Sequence, residues 1–141
     1  MRCVRGGLIR ALGGFAFGKL KQYLWRDAVS LAKLSDSERQ IIFQCLKAIL
    51  KGRFLEGEFH TRLGIEPEEL EGIITAYPDV DNSDDNSDAA IAINNCLNEV
   101  CHGISFSDRE WSQWFTVSKP EIEEVYRKWA VLRGWSHSGI R

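Results

Sequence analysis

EFHTRLGIEPEELEGIITAY, residues 58–77, returns in altered form as EWSQWFTVSKPEIEEVYRKW at residues 110–129. Laid together without a gap, Glu58 falls on Glu110, Phe59 on Trp111, Leu63 on Phe115 and Ile65 on Val117. Further on, Leu70 meets Ile122, Ile73 meets Val125, Ile74 meets Tyr126 and Tyr77 meets Trp129, with Pro67 and Pro120 near the start of each second half. A repeated unit that cannot bury its apolar side alone has to stack on something, so such self-similarity fixes architecture first. The spacing predicts two related helical hairpins, each with a turn near its middle.

Outward from the first hairpin, Ser35 with Glu38 three residues on has the form of a capping box. Ile41, Ile42, Cys45, Leu46, Ile49 and Leu50 then keep the helical period until Gly52. Leu20, Tyr23, Leu24, Ala28 and Leu31 outline an earlier helix over 19–33, and Phe54, Leu55, Phe59 and Leu63 are expected to line one helix. A further helix is expected from Asp88 to His102, stopped by Gly103, and Ser107 with Glu110 opens the second hairpin. No stretch alternates polar and apolar residues with period two. The expected fold is all-α: a single-domain bundle of six or seven helices over residues 27–135, its two hairpins packed on the 88–102 helix. Residues 1–26 form a basic, glycine-rich arm, read as frayed or non-native, and residues 136–141 a loose tail.

Charge is unevenly placed along the 141 residues. Residues 1–53 hold eleven Lys/Arg against three Asp/Glu, net +8, whereas residues 54–100 hold one Arg against twelve acids, net −11. The remainder is +1. Such segregation speaks to partners more than the total of −2 does. The apolar run at the start is interrupted by Arg10 and is too short to span a bilayer, so a membrane role would need an amphipathic anchor over residues 8–25. The cysteines at 3, 45, 96 and 101 include no C-x-x-C pair, which favours free thiols and a reducing, cytoplasmic setting.

The residues able to carry chemistry are few. Asp79, Asp81, Ser83 and Asp85 fall at positions 1, 3, 5 and 7 of a calcium loop, but Asp84 replaces the turn glycine and Ala90 the final bidentate acid. A solvated loop is the plainer reading. Asn95, Asn98 and His102 share a helix face, either as a binding surface or as amides that satisfy neighbouring backbone. Cys96 and Cys101 stand about 140° apart on an ideal helix, which suits core thiols better than a metal site. His60, His102 and His137 have no nucleophile and orienting acid at a recognisable spacing, so neither an enzyme nor a cofactor is expected.

The hairpin resembles the helix-turn-helix unit of DNA-binding regulators at Phe59, Leu63, Gly64, Ile65, Leu70 and Ile73. It departs at His60, where that motif wants a small residue, and at Thr116, which replaces the turn glycine in the second copy. The outer face of its second helix offers Glu68, Glu69, Glu71 and Gly72, and phosphates repel carboxylates. Residues 55–135, with EFHTRLG followed by AINN, resemble small bacterial all-α proteins of unassigned function. That likeness implies a bacterial, cytoplasmic context and carries no catalytic residue. The expected function is therefore a non-enzymatic protein–protein interaction. An acidic face of Glu66, Glu68, Glu69, Glu71, Asp79, Asp81, Asp84 and Asp85 would meet a basic partner, as in an immunity- or antitoxin-like inhibitor. The alternatives are a DNA-binding regulator that uses the basic first third and, behind it, a peripheral membrane protein.

Overall fold

The computed structural model describes residues 30–80 and 88–135. The basic arm, the tail and loop residues 81–87 lie outside the described residues, and with them Asp81, Asp84, Asp85 and most of the calcium-like loop. Six α-helices and no strand occur among the described residues, so the fold is all-α.

The chain enters on a 3₁₀ turn, Ser30–Lys33, the only described part of the helix expected over 19–33. Arg39 caps the end of this turn, its guanidinium donating to the carbonyls of Leu31 at 3.1 Å and Leu34 at 2.5 Å. Helix α1, Asp36–Lys51, starts on the expected capping box. The Glu38 N–H donates to the Ser35 hydroxyl at 3.1 Å, and the Ser35 N–H donates back to Glu38 at 2.8 Å. Ile42, Cys45, Leu46 and Ile49 form its inward stripe, all fully buried.

The first hairpin is shorter than its apolar spacing predicts. Residues 54–58 are a turn, because Arg53 and Gly57 take positive φ (60° and 88°), and α2 spans only Phe59–Leu63. Leu55 is buried from the turn instead of from a helix. Gly64 closes α2 in the left-handed region at φ 79°, where a side chain would be strained. Helix α3, Pro67–Ala76, then begins with its proline where no N–H is needed. Leu70 is fully buried, and Tyr77 donates its hydroxyl to the Arg39 carbonyl at 2.7 Å.

Helix α4, Asp88–Asn98, runs on into a π turn, Glu99–Gly103, sealed by the Ile104 N–H on the Glu99 carbonyl at 2.9 Å. A π turn winds fewer degrees per residue than an α-turn, so Glu99, Val100 and Cys101 can all be buried in succession. This also alters the angle between Cys96 and Cys101 expected from ideal α geometry, although both remain core thiols.

The second hairpin comprises α5, Asp108–Trp114, and α6, Lys119–Leu132. Ser107 with Glu110 and Ser118 with Glu121 both form capping boxes. Its turn is built differently from the first. Phe115 leaves the helix in an extended conformation, and Thr116 is tied to α1. There the Gln44 amide donates to the Thr116 hydroxyl at 2.8 Å and accepts the Thr116 N–H at 3.2 Å. No left-handed residue is needed, so no glycine is either. The repeat therefore holds for the apolar positions and not for the turn. Leu63 and Phe115, and Leu70 and Ile122, are buried in both copies, whereas Ile74 and Tyr77 are half-buried where Tyr126 and Trp129 are enclosed.

The centre is shared. Helix α1 packs on α3, α4, α5 and α6, while α4 packs on α2 and α6, so the 88–102 segment is not the sole hub. Lys128 of α6 reaches Glu38 at 2.8 Å and closes α6 onto the start of α1.

Candidate interaction surface

Of the acidic residues singled out from the sequence, Glu66, Glu68, Glu69, Glu71 and Asp79 are described, and all five are exposed. Four of them come from α3 and its cap, where carboxylates suit the positive end of the helix dipole. Glu69 accepts the Glu66 N–H at 2.8 Å, and Glu66 meets His60 Nδ1 at 2.9 Å across the Gly64 turn. Glu68 and Glu71, three residues apart, share the outer face. No other described cation pairs with Glu68, Glu69, Glu71 or Asp79.

The one Lys or Arg between residues 54 and 100, Arg62, does not neutralise that face, because it is turned inward. Its guanidinium grips both oxygens of Glu99, from Nη2 to Oε1 and from Nε to Oε2 at 3.3 Å, and Nη2 also reaches the Gly103 carbonyl at 3.2 Å. Glu58 sits beside it at 3.4 Å from Nη1. The Glu99 side chain is only 11 % exposed, so the pair is a largely enclosed strut between α2 and the π turn. Gly103 is part of its construction: a Cβ there would run into the Glu99 carboxylate and lie 2.8 Å from the guanidinium. Sequence reading missed this strut. Its signal was Glu99 standing on the stripe of Ala92 and Cys96, seven and three residues before it, where an acid has to be paired.

Asn95 donates its amide to the Leu63 carbonyl at 3.0 Å and so caps the end of α2. The neighbouring Asn94 accepts the Tyr126 hydroxyl at 2.7 Å. Asn98 is half-buried and His102 exposed, and among the described hydrogen bonds neither is joined to Asn95. Burial holds the thiols in their protonated form: Cys45 and Cys96 are pushed well up, and Cys101 to about 12. No group of three His, Cys, Asp or Glu able to hold a metal occurs among the described residues. Nor is any described helix long and apolar enough to cross a membrane.

One concavity adjoins the acidic face. A shallow cleft of about 380 Å³ lies between α3 and the start of α4, with Ile65, Ile73, Val80 and Ala89 as its apolar lining. Among the described residues Glu69 and Asp88 are its only charged lining, and Gly72 completes it. Glycine inside a helix costs about 1 kcal/mol relative to alanine. At Gly72 nothing in the described molecule repays that cost, since a Cβ would meet no atom within 4 Å.

With this geometry in hand, comparison with protein-family models, curated proteins and solved structures finds no match to the chain.

Proposed function

We propose that this chain is a non-enzymatic interaction module whose α3 face, carrying Glu66, Glu68, Glu69 and Glu71 with Asp79 beyond it, engages a basic protein. The observation that carries this reading is that Arg62, the one Lys or Arg between residues 54 and 100, is spent on Glu99 and Glu58, and no described Lys or Arg pairs with the exposed carboxylates of α3. An uncompensated patch of one sign steers an oppositely charged partner and raises the association rate, an effect that falls with salt. An inhibitor that covers the phosphate-binding surface of a basic nuclease, in the manner of an immunity protein or antitoxin, is the concrete form of this function. Asp81, Asp84 and Asp85 follow Asp79 directly in the chain and would extend the same negative potential.

The test is capture on the immobilised full chain at low and high salt, with identification of what elutes. The expected result is retention of a basic protein at low salt, lost in a Glu68→Lys/Glu69→Lys/Glu71→Lys variant. Equal capture by that variant refutes the reading. A DNA-binding role has less support, because every charged residue exposed on α3 is a carboxylate. A gel-shift titration that shows tight, steeply salt-dependent binding of duplex DNA would reverse that ranking.

A further inference from the structure

The cleft beside α3 gives the partner a more specific chemistry. We propose that it receives a large apolar side chain of the partner, flanked in the partner's sequence by Lys or Arg. The inference rests on the acidic-face reading and adds an anchor to it.

Two independent observations lead there. Gly72 lies inside α3, it is exposed, and the space its side chain would fill is open. Helix packing among the described residues therefore does not require a glycine at that position. A close approach from outside would use one, since a bare Cα lets another chain come near the helix. The charge pattern is the second. Among the described residues every charged lining residue is an acid, Glu69 on α3 and Asp88 at the first turn of α4, beside an apolar lining of Ile65, Ile73, Val80 and Ala89. An uncharged apolar segment would leave both carboxylates partly desolvated without a counter-charge. A segment with cations flanking its apolar residue can pair both, one from each helix. A volume of about 380 Å³ is at the small end for ligand sites and suits one large side chain. The buried apolar centre would supply affinity and the acidic rim specificity, as is usual at interfaces.

The experiment titrates a fluorescein-labelled peptide, Gly-Arg-Arg-Phe-Leu-Arg-Arg-Gly, into the full chain, with a second peptide in which Phe and Leu are Ser. Saturable one-to-one binding of the first and not the second is expected. Gly72→Leu, which fills the cleft from the helix side, should weaken binding about tenfold, and Gly72→Ala by less. The Glu69→Gln/Asp88→Asn variant should weaken it to a similar degree while preserving hydrogen-bond acceptors. Since leucine is a better helix former than glycine, the melting midpoint of Gly72→Leu should not fall, and that measurement separates a filled cleft from a damaged fold. If Gly72→Leu binds as well as wild type while Glu68→Lys/Glu71→Lys loses binding, the anchor is refuted and the acidic face stands. If no variant changes binding, both fall. Concentration-dependent self-association that Gly72→Leu abolishes would assign the cleft to a second copy and overturn the partner assigned here.

Discussion

Replacing Arg62 with Met keeps much of the aliphatic stem and removes the guanidinium, leaving Glu99 behind in a site where its side chain is 11 % exposed. Breaking a buried ion pair from one side costs about 3–5 kcal/mol, because the remaining charge is stranded. Arg62 is itself 31 % exposed, so water reaches the pair and the figure belongs lower, at about 2–3 kcal/mol. For a chain of this length, that corresponds to a fall in melting midpoint of roughly 10 °C. Removing both partners, as Arg62→Met/Glu99→Leu, strands no charge and should recover about 1–2 kcal/mol relative to Arg62→Met alone. The assay is thermal and urea unfolding of the wild type, Arg62→Met, Glu99→Leu and the double variant, followed by far-UV circular dichroism. A midpoint for Arg62→Met within about 2 °C of wild type would refute the strut. So would a cycle whose coupling is indistinguishable from zero, since contacting partners in one network should not add independently.

Other expectations follow from the same contacts. Asn95→Ala should cost about 1 kcal/mol through the loss of its bond to the Leu63 carbonyl, whereas Asn98→Ala should cost less; equal losses would return the Asn95–Asn98–His102 face to contention as one unit. The Lys128 ammonium, with the Ser35 N–H behind it, holds the Glu38 carboxyl below its ordinary 4.5. A depressed folded-state pKa contributes stability above that ordinary value, and the contribution disappears as pH falls through the folded value. Lys128→Ala should therefore flatten the acid side of the stability profile, and a carbon-detected titration in which Glu38 does not shift on that substitution would contradict the pairing. At mildly alkaline pH, a thiol reagent should modify at most one cysteine per folded chain, because Cys45, Cys96 and Cys101 are buried and protonated. Rapid reaction of two or more would mean that the core opens readily.

What could be read from the chain alone was whatever depends on neighbours three or four residues away. The capping boxes at Ser35 and Ser107 are visible because both partners sit within one helical turn, and Ser118 with Glu121 obeys the same rule. The apolar stripes of α1 and α6 follow their spacing for the same reason. Residues 54–58 show the limit of that reasoning: apolar spacing says that Leu55 is inside, but Arg53 and Gly57 decide that a turn puts it there. The π turn was beyond local reading, because one extra residue in a helix is decided by what the helix must bury and leaves no spacing signature. The pairing of Arg62 with Glu99 spans 37 residues and needed the fold. As for the surface, exposed acids at the start of α3 follow from local preference, whereas the neighbouring cleft depends on how α3 and the next helix are set against each other, which spacing within one helix does not give.

The uneven placement of indole rings makes the molecule its own reporter. Every tryptophan among the described residues, Trp111, Trp114, Trp129 and Trp135, lies between 111 and 135, while the first hairpin has none. Trp129 is sealed and edge-on to Trp135 at 5.3 Å, and Trp111 lies against Phe115 at 4.3 Å. With Trp25 changed to Phe, indole emission would follow the second hairpin alone, while ellipticity would follow all the helices together. Superimposed melting curves would mean that α1 and α4 couple the two hairpins into one cooperative unit. If ellipticity falls before emission shifts, the hairpin that carries the acidic face opens first, with the better-buried copy as its platform.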